Sequence, residues 1–375
     1  MSVKKIKVAH LSSAHPDGDV RIFHKECVSL ANNFNREGIE LEVHLVLAGV
    51  EERTDRNVRI HSVPKNAGGR LKRMWATVNE VYKKAVALDA DIYHFHDPEL
   101  LRIALKLKRK GKIVIYDAHE DLPRQLMGKS YLKFKKTISS FFESYENGVA
   151  RRLDAVITAT PFIRDRFKLV NPNCLDINNF PLESEIEVVK ENSSKENKVC
   201  FIGGISRIRG VRELVMAMEH VDVKLDLAGG ISEDLRNELS GMKGWENVNE
   251  LGFIDRKTSL DVKKHSFAGV VTFLPLPNHI NAQPNKIFEY MASGLPVIGS
   301  DFPLWREIIV DTNSGICVDP KDPKDIAKAI QYLKDHPEEA RQMGENGRKM
   351  VEQKFNWRAE EEKLFNLYSK MISGK

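Results

Sequence analysis

The feature that most constrains this chain is a rhythm that runs along it twice. Short apolar, β-branched runs at residues 6–11, 41–47, 92–95, 113–116 and 155–158 alternate with segments of helical spacing. A second series follows at residues 199–202, 223–227, 248–251, 269–273, 296–299 and 315–318. The runs are nearly continuous in apolar residues instead of alternating. That is the pattern of parallel strands covered by helices on both faces, joined as βαβ units. Between the series the pattern breaks at residues 178–181, and residues 183–197 are polar and charged, which reads as a linker. The expectation is an α/β protein of two doubly wound, Rossmann-like domains, which suits 375 residues, more than one hydrophobic core usually supports. Two such domains facing each other leave a cleft into which the carboxyl ends of both sheets point, and chemistry is expected there. Residues 357–372 carry a last helical pattern through Leu364, Leu367, Tyr368 and Met371.

Other signals narrow the class. The opening residues show no signal-peptide core, and no run approaches the ~18 to 20 apolar residues of a membrane span, so a cytoplasmic protein is expected. Cys27, Cys174, Cys200 and Cys317 are widely separated, with no spacing of a zinc or redox motif, and read as reduced core thiols. Residues 1–180 hold 31 Lys and Arg against 22 Asp and Glu, whereas the remainder holds 27 against 31. Most of the basic excess falls between Lys65 and Lys136, including Arg70, Lys72, Arg73, Lys83, Lys84, residues 106–112, Lys129, Lys133, Lys135 and Lys136. A solvated face and attraction to anionic lipid or a phosphorylated acceptor are both open. Nucleic acid is not expected as a partner, because no aromatic-interleaved basic motif accompanies the charge.

Four segments could carry chemistry. Val199-Cys-Phe-Ile runs into Gly203-Gly204-Ile-Ser-Arg207-Ile-Arg209-Gly210 and then a helical pattern. Glycines let backbone N–H groups approach a phosphate, and Arg207 and Arg209 add charge, which suits a diphosphate; Gly-Gly also simply makes turns. Asn281-Ala-Gln-Pro-Asn285-Lys286-Ile-Phe-Glu289 is a loop opening a helix. There Glu289 could accept two hydroxyl hydrogen bonds of a ribose, or be an ordinary surface glutamate. Pro284 lacks an N–H, leaving Asn285 and Lys286 as backbone donors. In the first domain His119 follows a strand's carboxyl end. A metal reading would gather His94, His96 and His119, but no ligating cluster completes it, and no metal is expected. Finally His15-Pro-Asp17-Gly18-Asp19-Val-Arg21 follows the first strand: its polar groups could hold acceptor hydroxyls or phosphates, or Asp17 or Asp19 could cap the helix running over residues 22–30.

These segments, in this order, resemble the retaining glycosyltransferases of family four and GT-B architecture, especially the bacterial branch that builds surface polysaccharides. The likeness spans nearly the whole chain and rests most on residues 201–210, 284–298 and 15–23. It implies that Glu289 binds the donor ribose, Arg209 holds the diphosphate in place of the usual lysine, and His119 touches the donor sugar. It also implies that the final helix crosses back, giving domains 1–178 with about 356–375 and 179–355. The resemblance implies front-face attack with retention, the departing phosphate oxygen taking the acceptor proton, no metal or other cofactor, and a UDP- or GDP-sugar donor. Domain closure would then expel water. A saccharide acceptor, lipid-linked at the inner membrane face, would explain the basic first half. Two departures stand out. Asn281 replaces the usual sugar-contacting glutamate, and Gly204 replaces the usual phosphate arginine, for which Arg207 would substitute from a shifted position. A nucleotide-sugar 2-epimerase of the same fold and an inactive nucleotide-sugar-binding scaffold are the alternatives.

Overall fold

A computed structural model describes residues 3–36, 38–65, 70–128, 134–187 and 195–374. The chain divides into two compact units, Met1–Asn179 with Arg358–Lys375, and Phe180–Trp357.

The first unit is built on strands β1 (Lys4–Leu11), β2 (Ile39–Ala48), β3 (Arg53–Asp55), β4 (Val58–Val63), β5 (Ile92–Phe95), β6 (Ile113–Ala118), β7 (Ala155–Thr158) and β8 (Cys174–Asp176). They lie in the order β3-β4-β2-β1-β5-β6-β7-β8, and only β3 against β4 is antiparallel. The rhythm in the sequence locates the interior strands and misses β3, β4 and β8, which are short or half-exposed and sit toward the edges. Strands β5, β6 and β7 are buried along their whole length, as parallel strands sandwiched by helices must be. Their core is completed by Val78, Val81 and Ala85 of helix Arg70–Leu88, by Leu101 and Ala104 of helix Leu101–Lys108, and by Val149 and Ala150 of helix Lys135–Ala150.

The helix expected over residues 22–30 begins earlier and is not α-helical at its start. Val20–Cys27 is a π-helix that passes into the α-helix Val28–Asn32. Asp19 caps it, its carboxylate accepting the Ile22 N–H at 2.9 Å. The wide turn buries Arg21, Lys25 and Glu26 together with their apolar neighbours.

The second unit carries β9 (Lys198–Ile202), β10 (Lys224–Ala228), β11 (Val248–Gly252), β12 (Ala268–Val271), β13 (Val297–Ser300) and β14 (Gly315–Val318) in the all-parallel order β11-β10-β9-β12-β13-β14. In each unit the strand order reverses once beside the first strand, between β1 and β5 and between β9 and β12. Loops leaving the carboxyl ends of those strands diverge there and leave room for ligands.

Two expectations need adjustment. Part of the expected linker is structured: Glu183–Glu187 is a short helix whose Ile186 packs into the second unit's core with Phe180 and Phe288. Residues 188–194, with Ser193 and Ser194, lie outside the described residues, as do Lys129, Lys133 and the side chains of Arg70, Lys72 and Arg73. The last helix, Trp357–Ser373, joins the first unit from Arg358 onward. Its Glu360 accepts the Asn178 N–H at 2.8 Å, its Phe365 meets Phe34 edge-on, and its Tyr368 hydroxyl lies 3.0 Å from His94 Nδ1. The four cysteines are free thiols. Among the described residues no helix is long and apolar enough to cross a membrane.

Gly269 in β12 faces the ring of Tyr290, and a Cβ there would stand 2.4 Å from that ring. Gly269→Ala is therefore expected to destabilise the second unit by about 1–3 kcal/mol as the ring is forced aside. Thermal unfolding would read this as a lower midpoint, and an unchanged midpoint would show that the packing is looser than described.

Candidate active site

In the second unit β9 ends at Ile202 and the chain turns through Gly203 with φ +128°. Added Cβ atoms show why glycine stands here twice: one at Gly203 would lie 2.1 Å from Lys286 Nζ, and one at Gly204 would lie 2.6 Å from Arg209 Nη1. The two glycines make the space in which two cations stand side by side. Arg209 is steadied by a 2.8 Å hydrogen bond from Nη1 to the Gly204 carbonyl and lies 5.5 Å from the centre of the Phe273 ring. Lys286 lies 5.7 Å from the Phe201 ring, and among the described residues its ammonium has no hydrogen bond and no ion pair. Burial, and after it the charge of Arg209, pushes the Lys286 ammonium down to about 8, with Glu289 acting in the opposite sense. Two converging cations without an anion between them describe an anion site.

The rest of the loop places its residues differently from expectation. Arg207 turns outward and pairs with Glu238, which also takes Arg212. The place beside Gly204, for which the sequence offered Arg207, is filled by Arg209. The α-helix after the loop starts only at Val211, beyond a 3₁₀ turn at Arg207–Arg209.

Helix Asn285–Ala292 supplies the facing wall. Tyr290 is buried, and its hydroxyl accepts the Ile202 N–H at 2.9 Å, which ties the helix to the end of β9. One turn earlier Lys286 consequently reaches Gly203. The N–H groups of Asn285 and Lys286 open the helix and have no acceptor within it. Glu289 is exposed on this helix, and its carboxylate has no hydrogen bond or ion pair among the described residues. Asn281 is half-buried in the preceding loop, which Trp305 holds by donating Nε1–H to the Ala282 carbonyl at 2.8 Å. Two neighbours escaped notice in the sequence: Gln283 Oε1 and Thr272 Oγ1 are buried without hydrogen-bond partners. Only the fold could reveal this, since neither residue type is unusual in a loop.

In the first unit the loops after β1 and β5 meet at Asp97. Its carboxylate accepts the Ser12 hydroxyl at 2.8 Å and the Ser13 N–H at 2.6 Å, and its other oxygen lies 2.9 Å from His15 Nδ1. Burial would raise the Asp97 carboxyl, but His15 and the serine donors outweigh it and hold it at about 2. His15 is affected conversely: burial would lower it, and Asp97 raises it above its ordinary value. From the end of β6 comes His119, its ring centre 4.9 Å from that of His15 and its Nε2 2.9 Å from Asp117 Oδ2. His15 and His119, both expected at the site, are thus brought together.

Their companions in the acceptor loop are not. Arg21 is buried: Nε and Nη2 donate to the two Asp117 oxygens at 3.0 and 2.9 Å, and Nη1 donates to the Ile177 carbonyl at 2.6 Å. It serves as the counter-ion that keeps Asp117 ionised, not as a group open to an acceptor. Asp17 is forked by Arg53 at 2.8 Å, Asp19 caps its helix, and Gly18 turns with φ +76°.

Behind His119 stands a buried relay. His96 Nδ1 lies 3.2 Å from His119 Nε2, His96 Nε2 lies 3.0 Å from His10 Nδ1, and Tyr368 joins His10 and His94. Burial keeps His10 and His94 well below their ordinary value and His96 at about 4, so the rings are neutral near pH 7. The trio that a metal reading would gather, His94, His96 and His119, is divided. One group of converging donor atoms is His10, Glu26, His94 and His96; the other is His96, Asp117 and His119. In the first group the Arg21 cation already lies 3.2 Å from Glu26.

Two units, each wound on a largely parallel sheet, with a cation pair at the switch point of one and a histidine-carboxylate cluster at that of the other, are the makings of a glycosyltransferase of the GT-B class. The chain is such an enzyme: residues 27–173 match the Glycosyltransferase Family 4 domain and residues 183–350 match Glycosyl transferases group 1. The D-rhamnosyltransferase WbpZ of Pseudomonas aeruginosa is 23% identical over 283 residues, covering 72% of this chain and 71% of WbpZ. Sucrose-phosphate synthase of Thermosynechococcus elongatus is similar in fold with a TM-score of 0.77 at 17% identity, covering 99% of this chain and all of that one. HepE of Anabaena, solved in complex with UDP, gives 0.70 at 14% identity, again covering 99% and 100%.

Because Asp97 is held below 3.8 and His15 above 6.5, their mutual stabilisation is fully present between about pH 4 and 6.5. It is lost as acid protonates Asp97 and as base discharges His15. Asp97→Asn is expected to cost about 1–3 kcal/mol inside that window, with the gap to the parent narrowing toward pH 9. Chemical denaturation across pH would test this, and a gap independent of pH would contradict the pairing.

Proposed function

We propose that the chain transfers a hexosyl group, with retention of anomeric configuration, from a nucleoside diphosphate sugar to a saccharide acceptor. The observation that carries this reading is the cation pair Arg209 and Lys286, held over Gly203 and Gly204, with no ion pair to Lys286 among the described residues. A donor diphosphate has the matching charge. As the bond between the anomeric carbon and the phosphate oxygen breaks, its electron pair passes to that oxygen. Both cations, with the Asn285 and Lys286 N–H groups, are placed to stabilise the charge that develops. The acceptor hydroxyl attacks the same face, and its proton goes to the departing phosphate oxygen. No protein nucleophile is then required. Two fixed cations supply the neutralisation that a divalent ion would otherwise bring, so we read the reaction as metal-independent and without cofactor.

Glu289, exposed and unpaired one turn beyond Lys286, suits the ribose diol. Asn281 and the unsatisfied amide of Gln283 offer hydrogen bonds to the donor sugar in place of a glutamate. His119 and its neighbour His15 suit the transferred sugar and the acceptor. HepE's complex with UDP supports a UDP-sugar, and a GDP-sugar fits the same cation pair. Similarity to the capsular polysaccharide biosynthesis glycosyltransferase CapM of Staphylococcus aureus supports a place in bacterial surface polysaccharide synthesis. There the acceptor would be lipid-linked and presented at the inner face of the membrane, to which the basic first unit would be drawn.

Thermal stabilisation by UDP-, GDP-, ADP- and dTDP-sugars tests the donor site. One nucleotide class should raise the unfolding midpoint of the parent. Lys286→Met and Arg209→Met should each weaken binding at least tenfold and lower turnover by about 10²–10³, while Glu289→Ala should weaken binding of the nucleoside. Full stabilisation of the Met variants would remove the cation pair from the site. Consumption of donor without any acceptor would turn the reading toward an epimerase.

A further inference from the structure

Helix Lys135–Ala150 has an inward side: Ser139, Glu146, Val149 and Ala150 are buried, and Phe142 packs on the first unit's core. Along the flank of that inward side run Phe134, Ile138, Phe141 and Tyr145, spaced four, three and four residues apart, which puts them in one stripe. All four are exposed, Phe134 to 81% and Phe141 to 77%. The stripe does not end at this helix. Helix Leu101–Lys108 packs beside both Lys135–Ala150 and Arg70–Leu88. From it Arg102 lies 4.1 Å from the centre of the Trp75 ring. Trp75 is itself 62% exposed. Aromatic side chains gathered on a surface in this way mark a contact site.

The surrounding charge identifies the occupant. Residues 65–136 hold 17 Lys and Arg against 8 Asp and Glu, the whole of the first half's basic excess. Lys135 and Lys136 follow Phe134 directly in the chain, and Lys106 of the neighbouring helix lies 5.3 Å from the centre of the Tyr82 ring. The nearby acids are already engaged, Glu143 by Arg124 at 2.7 Å and Glu80 by Lys83 at 2.8 Å. Exposed aromatic residues carried on a strongly basic stretch of chain are suited to a surface that is apolar just beneath a layer of negative charge. We infer that the face formed by Phe134, Ile138, Phe141, Tyr145 and Trp75 docks on an anionic lipid bilayer. This rests on the membrane contact in the proposed function and gives it an address. Helix Leu122–Gly128, which packs on Lys135–Ala150, begins three residues after His119. A saccharide carried on a lipid in that bilayer would therefore be delivered beside the histidine cluster.

The full chain would be floated with phosphatidylcholine vesicles, with and without phosphatidylglycerol, at low and high salt. The parent should bind only the anionic vesicles and release them in salt. The exposed double substitution Trp75→Ser with Phe141→Ser should lower the partition constant at least tenfold, and Lys135→Glu with Lys136→Glu should remove the preference for anionic lipid. Stabilisation by the donor nucleotide should stay unchanged in both. Binding of the double variant equal to the parent overturns this face while leaving membrane contact standing, whereas a parent that ignores all vesicles overturns both. A parent that is dimeric, with a monomeric double variant, would assign the face to a second copy of the chain.

Discussion

Arg209 and Lys286 repel one another, and much of the second unit is arranged to hold them together. Gly203 and Gly204 leave the space, the Gly204 carbonyl fixes the guanidinium, and Tyr290 ties the lysine's helix to the end of β9. Burial first, and then the neighbouring Arg209 charge, push the Lys286 ammonium toward releasing its proton. Under the proposed function this unfavourable charge would make the site selective: a ligand with two closely spaced negative charges would relieve it, and a neutral sugar would not.

The first unit meets the opposite requirement. Asp117 and Glu26 are both fully buried, and Arg21 lies against each. Removing that guanidinium would strand two carboxyl groups in a core, so the arginine is fixed by stability as much as by function. From Asp117 the neutral rings of His96, His10 and His94 lead to Tyr368 on the last helix. The orientation of His119 at the surface therefore depends on a helix nearly 250 residues later in the chain.

How much of this could be read beforehand follows from how local each signal is. Parallel strands buried on both faces write themselves as apolar runs, so the doubly wound rhythm was visible; β3 and β4, an edge hairpin, were not. The glycine loop and the helix bearing Lys286 and Glu289 were legible, because loop glycines and a helix start leave short-range marks. What each arginine does was not. Arg207 and Arg209 differ by two positions, and only the presence of Glu238 across the loop decides which of them faces out. Arg21 likewise looked like a binding residue, because an arginine after a strand's end is usually open to solvent. A π-helix turned it inward onto Asp117, 96 residues away.

If a diphosphate binds at the proposed donor site, Lys286 should take up a proton when it arrives. Calorimetric titration with the nucleoside diphosphate that stabilises the chain most, run at pH 8 in buffers of different ionisation enthalpy, measures that proton directly. With Lys286 poised at about 8, we expect uptake of roughly half a proton, and none in Lys286→Met. Binding without proton uptake, or uptake unchanged in the variant, would contradict the cation pair as the seat of the donor diphosphate.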